Sequence, residues 1–403
     1  MPRRRRPLML ATIGALIIYL FIFRDSRTED SFQGRGSVGR FFGLEILPFP
    51  QPAGEPAPQY PQWNFSVVAP SSGSNYTRTL VIPRLRSESV SWIEEELPGL
   101  DTAIYVVNDP DAPLHPPKNK GNEAMVYLTY IIDHYENLPD IVIFMHAHRL
   151  SWHNNDILGN DAAEMIKRLN SEHIMRQGYV NLRCHWKPGC PDWLHPKSHE
   201  DDIVKQEQLM LEQSWLELFP LDPLPSVLSQ PCCAQFAVSR ERVLSVPKSR
   251  FVYFRDWLLR TPLSTYISGR IWEYSWQFVF TGQTVLCPAM HVCYCDGYGV
   301  CFGGEEEFNR WFKLRYESAQ LASEEKGWQL RNGKVKDAES KGSTGELTYF
   351  DYPEVGKDDY LRDKIKAIRD ELQAMIDAAV ERGTDPRNRA MEANREWKEG
   401  DGF

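Results

Sequence analysis

The segment that most constrains this chain is its first 24 residues. Arg3, Arg4, Arg5 and Arg6 precede an uncharged stretch from Pro7 to Phe23, and Arg24 closes it. At about 1.5 Å per residue, this stretch sits at the lower limit for crossing a hydrocarbon core of about 30 Å. The arginine cluster places the N-terminal tip in the cytosol. A cleaved signal peptide would want a small-x-small site after the apolar run, whereas the chain continues Phe21-Ile22-Phe23-Arg24-Asp25. Residues 1–6 are therefore expected to be a cytosolic tail and 7–23 an uncleaved transmembrane signal anchor. So short a span suits the thin membrane of the endoplasmic reticulum or early Golgi. The bulk of the chain is then luminal, in a single-pass type II arrangement.

Two features agree with an oxidising, glycosylating compartment. Asn64-Phe65-Ser66 and Asn75-Tyr76-Thr77 are N-glycosylation acceptors just beyond the anchor. The eight cysteines (Cys184, Cys190, Cys232, Cys233, Cys287, Cys293, Cys295 and Cys301) contain no CxxC zinc knuckle, so disulfides are expected. Their spacing leaves the pairing open, although adjacent Cys232 and Cys233 are expected to pair outward with different partners. The formal net charge of −9 argues against non-specific nucleic-acid binding, which needs clustered positive charge.

Residues 24–95 read as a luminal stem, largely disordered. Pro and Gln crowd Pro48 to Gln62, Ser and Gly follow, and no period is sustained. From 96 to 312 the character changes. Thr102–Val107 is a β-branched, aromatic run, Ala124–Tyr135 carries apolar residues at helical spacing, and Asp140–Met145 is a continuous apolar run. Strand, helix and strand predict a βαβ unit. Helix-like stretches at Ala162–Arg168, Ile203–Leu218, Phe251–Phe254 and Gly269–Phe280 continue an α/β pattern. The expected class is thus α/β, a parallel-containing sheet with flanking helices, Rossmann-like or glycosyltransferase-A-like. Residues 313–403 read as a helical extension. Leu361, Ile365, Ile368, Leu372, Ile376 and Ala379 stripe an amphipathic C-terminal helix, and the last twenty residues, polar and charged, are expected to be a disordered tail.

In open α/β sheets, ligands bind beyond the carboxyl ends of the strands. The first expected strand ends in Asn108, Asp109 and Asp111, the second in His146, His148 and Arg149, then Trp152, His153 and Asp156. Asp109-Pro110-Asp111 has the form that holds Mn²⁺ or Mg²⁺ against a diphosphate, and equally the form of a turn. His146 and His148, two apart, project from one face of a strand and can share an ion, Zn or Fe being the alternative metals, with His153 or Asp156 beside them. Asn119, Lys120 and Glu123 open the helix and can meet a phosphate, or simply cap it. Arg240, Arg270, Glu273 and Trp276 form a second constellation. There Glu273 is a candidate general base beside an indole, or an ion-pair partner of Arg270 or Arg240 within a Trp-rich core.

The run Asn119-Lys120-Gly121-Asn122-Glu123-Ala124, continuing through Tyr127–Asp133, Leu138-Pro139-Asp140 and Phe144-Met145-His146-Ala147-His148 with Trp152-His153, resembles a fungal family of single-pass membrane proteins known only as a domain of unknown function. That likeness covers about residues 100–305 and implies no activity. Gln235–Arg240 followed by Glu273-x-x-Trp276 is similar, more loosely, to the acceptor side of Golgi-type glycosyltransferases. It implies a nucleotide-sugar donor and a glycan acceptor. The expectation is a luminal, metal-assisted glycosyltransferase-like enzyme. Asp109, Asp111, His146 and His148 would surround the metal, Glu273 and His153 would be catalytic, and Asn119, Lys120, Glu123, Arg149, Trp152, Arg240, Arg270 and Trp276 would bind substrate. The competitors are another metal-dependent enzyme, hydrolase or oxidoreductase, built on the histidines, and a non-catalytic carbohydrate- or protein-binding domain.

Overall fold

The structure is a computed structural model that describes residues 75–200, 202–399 and 402–403. The cytosolic tail, the anchor, Asn64 and most of the stem lie outside the described residues. Among the described residues, no helix is long and apolar enough to cross a membrane.

Five strands form one mixed sheet: β1 (Arg78–Arg84), β2 (Asp101–Val106), β3 (Ile141–Phe144), β4 (Tyr179–Asn181) and β5 (Phe236–Ser239), in the order β2-β1-β3-β5-β4. β1 pairs in parallel with both β2 and β3, while β5 runs antiparallel between β3 and β4. The helices are α1 (Ser91–Glu96), α2 (Ala124–His134), α3 (Ala162–Arg168), α4 (Ser171–Gln177), α5 (Gln208–Leu218), α6 (Arg240–Leu244), α7 (Lys248–Arg260), α8 (Thr265–Glu273), α9 (Trp276–Thr281), α10 (Glu305–Lys341), α11 (Lys357–Arg382) and α12 (Pro386–Glu392).

Strand residues alternate between two buried faces, as the pleat requires. Val81, Ala103, Tyr105, Val142, Phe144, Phe236 and Val238 join one core with α2 and the aromatic residues of α7, α8 and α9. Leu80, Ile82, Ile141, Ile143 and Ala237 are as deeply buried, on the face that α4 covers. Burial on both faces explains why β3 reads as an unbroken apolar run.

Two expectations about the sheet need correction. β1 lies inside the segment read as a disordered stem, yet it is the strand between β2 and β3. Its apolar centre, Leu80-Val81-Ile82, is short and bounded by Arg78 and Pro83, so composition around it hides it. In consequence β2 and β3 are not neighbours: the expected strand-helix-strand unit exists, with β1 inserted between its strands.

The chain divides into two compact units. The described part of the larger lies within 75–311 and 370–403, and that of the smaller is Phe312–Arg369. In the smaller, Lys357–Glu324 (2.8 Å) and Lys364–Glu317 (3.4 Å) join α10 to α11. The expected stripe is buried at Leu361, Ile365 and Ile368.

In the larger unit the end of the chain is no loose tail. Asp296, 2% exposed, receives His173 Nδ1 at 2.8 Å, Arg176 Nη2 at 2.9 Å and Arg395 Nη2 at 3.2 Å, which seats the segment after α12. The disulfides are Cys184–Cys293, Cys190–Cys287, Cys295–Cys301 and Cys232–Cys233. The last corrects the expectation that these neighbours pair outward. The turn that brings them together holds Cys233 at φ +87° and Ala234 at φ +50°.

Candidate functional site

The order β2-β1-β3 means that the chain leaves β1 in one direction and later returns to its other side. A cleft opens at such a reversal because the connections diverge. Here it lies beyond the carboxyl ends of β1, β2 and β3, has a volume of about 290 Å³, and is lined by Arg84, Glu88, Asn119, Asn122, Glu123, His146 and His148 among others.

Its floor is built by loop geometry. Gly121 (φ +68°) turns the chain into α2, and a Cβ there would meet Leu258 Cδ2 at 2.6 Å. Asn122 follows at φ +50°, which directs Glu123 into the cleft. On the opposite wall, the His146 backbone N–H donates to Gln235 Oε1 (3.2 Å), and the Gln235 amide donates in turn to Asn154 Oδ1 (3.1 Å). One buried glutamine therefore couples the end of β3 to the loop that carries His153.

His146 is the centre of the site. Its Nδ1 lies 3.1 Å from His153 Nε2, and His153 Nδ1 lies 2.9 Å from Ser151 Oγ. Its Nε2 is buried without a hydrogen-bond partner, 4.0 Å from Glu123 Oε2. A buried N–H without a partner is rarer than an under-used acceptor. Nε2 is therefore assigned the lone pair, Nδ1–H donates to His153 Nε2, and His153 Nδ1–H donates to Ser151.

The protonation states follow from burial. The ring keeps some exposed carbon, but Nε2 itself is out of water. Burial first, and the nearby His148 second, bring its pKa down to about 4. Burial, then His146, Arg183 and His148, holds His153 well below the usual imidazole range. Burial pushes Glu123 up to about 8; the hydrogen bond from its own backbone opposes this, and the charge of Glu273 adds to it. At neutral pH the cleft thus presents a neutral acid opposite a neutral base.

The other expected site residues divide clearly. His148 pairs with Glu88 at the rim (3.3 Å). Trp152 is 57% exposed beside His153. Lys120 turns away, its Nζ donating to the carbonyls of Thr261 (3.3 Å) and Leu263. Asp109 accepts the Asp111 N–H (3.2 Å) and pairs with Arg86 (3.3 Å), as a turn aspartate does. Arg149 forks onto Asp161 and reaches Glu96. Arg240 pairs with Asp140 and the Leu138 carbonyl. Asp156 pairs with His185, whose Nε2 also meets Tyr294 Oη at 2.9 Å.

Trp276 is fully buried, packed on Trp272, Phe236 and Phe280, and belongs to the core. Glu273 ends α8 rather than sharing a helix with Trp276. Its Oε1 accepts the Cys233 N–H (2.7 Å), and its Oε2 lies 3.6 Å from Arg270, which also holds Glu207 at 2.8 Å. It reaches the cleft through its charge on Glu123.

Among the described residues, Asp109, Asp111, His146 and His148 do not converge as one ligand set. The close groups are Cys232, Cys233 and Glu273, and Cys295, Cys301 and Glu392, whose sulfurs are in disulfides. Sequence reasoning passed over Arg84 and Glu88, which lay in the supposed stem, and Ser151 and Gln235, whose roles appear only once β3 and β5 are paired.

Fold and site together define a mixed-sheet α/β domain with an acid–base pair in its switch-point cleft. No curated protein and no solved structure matches the chain. The chain belongs to the family described as protein of unknown function (DUF3431), whose model matches residues 80–296. That span starts within β1 and ends at Asp296, so it takes in the sheet apart from Arg78 and Thr79, and every residue of the cleft.

Proposed function

We propose that the domain is an enzyme that activates a substrate hydroxyl, the half-reaction a glycosyltransferase performs at its acceptor. The observation that carries this reading is the 4.0 Å gap between His146 Nε2 and Glu123 Oε2. An oxygen about 2.8 Å from each atom bridges the gap once a small side-chain movement uncovers His146 Nε2. The hydroxyl gives its proton to His146 Nε2, and the protonated Glu123 donates a hydrogen bond to the oxygen as negative charge develops on it. His153 and Ser151 hold the imidazole in the tautomer this requires. An anionic donor such as a nucleotide sugar raises the basicity of His146, because a nearby negative charge offsets the burial penalty on imidazolium.

Where a divalent ion takes part, His146 and Glu123 are the better donors than Asp109 and Asp111. Bound there, an ion would act as a Lewis acid on the acceptor hydroxyl and make its proton easier to remove. The Rossmann-like or glycosyltransferase-A-like reading belongs to this proposal and is supported by the β2-β1-β3 order. So does a luminal, anchored location, supported by the four disulfides and an exposed Asn75.

The test uses full-length protein in detergent with UDP- and GDP-linked sugars, hydroxyl acceptors, and either Mn²⁺ or a chelator. The expected result is consumption of a donor, reduced at least about a hundredfold in His146→Ala and in Glu123→Gln. No turnover of any donor, or full turnover by His146→Ala, would refute it.

A further inference from the structure

Trp152 has no part in the hydroxyl-activating reaction, yet it is held with unusual care for an exposed aromatic. Trp215, Trp272 and Trp276 are fully buried, whereas Trp152 is open to solvent. Its loop is braced from within. The buried Asn154 donates to the carbonyls of Arg149 (3.1 Å) and Asn160 (3.0 Å). Asn155, also buried, donates to the Leu182 carbonyl and accepts the Cys184 N–H, each at 2.8 Å. Arg183, 5% exposed, lies with its guanidinium 5.3 Å from the indole centroid. It donates to the carbonyl of Trp152 itself at 3.1 Å and to that of Lys187 at 2.9 Å. His153 meets the ring in a T-shaped contact at 5.6 Å. One side of the indole is thus backed by a fixed cation, one edge touches the relay, and the remaining surface is open.

We infer that Trp152 is the stacking platform for a saccharide ring, seated next to the unit whose hydroxyl the cleft activates. This inference rests on the hydroxyl-activating reading and supplies its substrate class. A pyranose has an apolar C–H face with a rim of hydroxyls. The C–H groups carry partial positive charge and suit the negative face of an indole. The rim hydroxyls then fall beside Ser151 and His153, which are polar and half-buried. Leu150 is the other large apolar side chain exposed on this loop. Two such residues are far short of the area a stable protein contact buries. Pre-organisation by Arg183 and the two asparagines spares a ligand the cost of ordering the loop.

Full-length protein in detergent is applied to an array of immobilised neutral oligosaccharides terminating in mannose, glucose, galactose or N-acetylglucosamine. Phosphatidylcholine vesicles serve as a second surface. Wild type is expected to bind at least one saccharide class, Trp152→Ala to bind it about tenfold more weakly, and Trp152→Phe to recover part of the loss. Leu221→Ala, at an exposed apolar residue on the turn after α5, is expected to bind like wild type, and because binding is read without any donor it is separate from the chemistry. Glycan binding that depends on Trp152 while no donor is ever consumed would leave the platform standing and the reaction refuted. Equal glycan binding by wild type and Trp152→Ala, no glycan binding at all, or vesicle binding that alone depends on Trp152 would overturn the platform.

Discussion

Glu123→Gln is the most informative perturbation, because its effect on stability is set by one proton. Folding moves the Glu123 pKa from 4.5 to about 8, chiefly through burial. Between those values the folded state binds the proton and the unfolded state does not. Stability therefore falls as pH rises through that window, by about 1.4 kcal/mol per pH unit. Over the whole window the cost is on the order of 5 kcal/mol as an upper bound, which water entry into the cleft reduces. Burial of His146, and of His153 beside it, acts in the opposite sense. Their pKa values are lowered, so their contribution to stability rises with pH and is complete above 6.5. Above pH 6.5 the two histidines no longer contribute to the pH dependence, and the Glu123 contribution amounts to about 2 kcal/mol by pH 8. Glutamine keeps the shape and carries no titrating proton. Urea unfolding of wild type and Glu123→Gln at pH 5, 6.5 and 8 should show the variant gaining on wild type at each step. Parallel curves for the two proteins across this range would refute the assignment of a half-buried, neutral Glu123.

Gln235→Ala leaves the His146 N–H and the Asn154 carbonyl oxygen without their buried partner, and should cost about 1–3 kcal/mol in denaturant unfolding. Asp296→Asn should be strongly destabilising, on the order of 3–5 kcal/mol at pH 7, because it strips charge from a site that holds Arg176 and Arg395. Burial pushes the Asp296 carboxyl up, yet His173, Arg176 and Arg395 together hold it well below 3.8. Its stabilisation is therefore present above about pH 4 and is lost on acidification, so wild type and Asp296→Asn should converge in thermal melts as the pH falls. Asn75 is exposed three residues before β1, and expression in a secretory-pathway host should give a glycosidase-sensitive gel shift that Asn75→Gln reduces.

How much of this could be read from the residues depends on whether a signal is local. α2, β3 and the stripe of α11 carry unbroken periods over a whole element, and they emerge where expected. β1 carries three apolar residues between Arg78 and Pro83, and only its pairing with β2 and β3 marks it as central. Losing β1 also concealed Arg84 and Glu88. The histidines at the end of β3 line the cleft for a general reason, that strand ends deliver side chains to a common edge. What they do there was not legible. The His146–His153 contact and the neutral Glu123 arise from a loop that folds back and from burial, neither of which a spacing rule encodes. The Asp-Pro-Asp motif and Lys120 show the converse: residue types suited to phosphate and metal are spent on a turn and on two carbonyls.

The hydrogen-bonded chain from His146 through His153 to Ser151 can be observed without a substrate. In full-length protein labelled with ¹⁵N-histidine, a pH titration by NMR reports the charge and tautomer of each imidazole. His146 should stay neutral down to about pH 4, with its proton on Nδ1. A His146 that titrates near 6.5, or that carries its proton on Nε2, would contradict it.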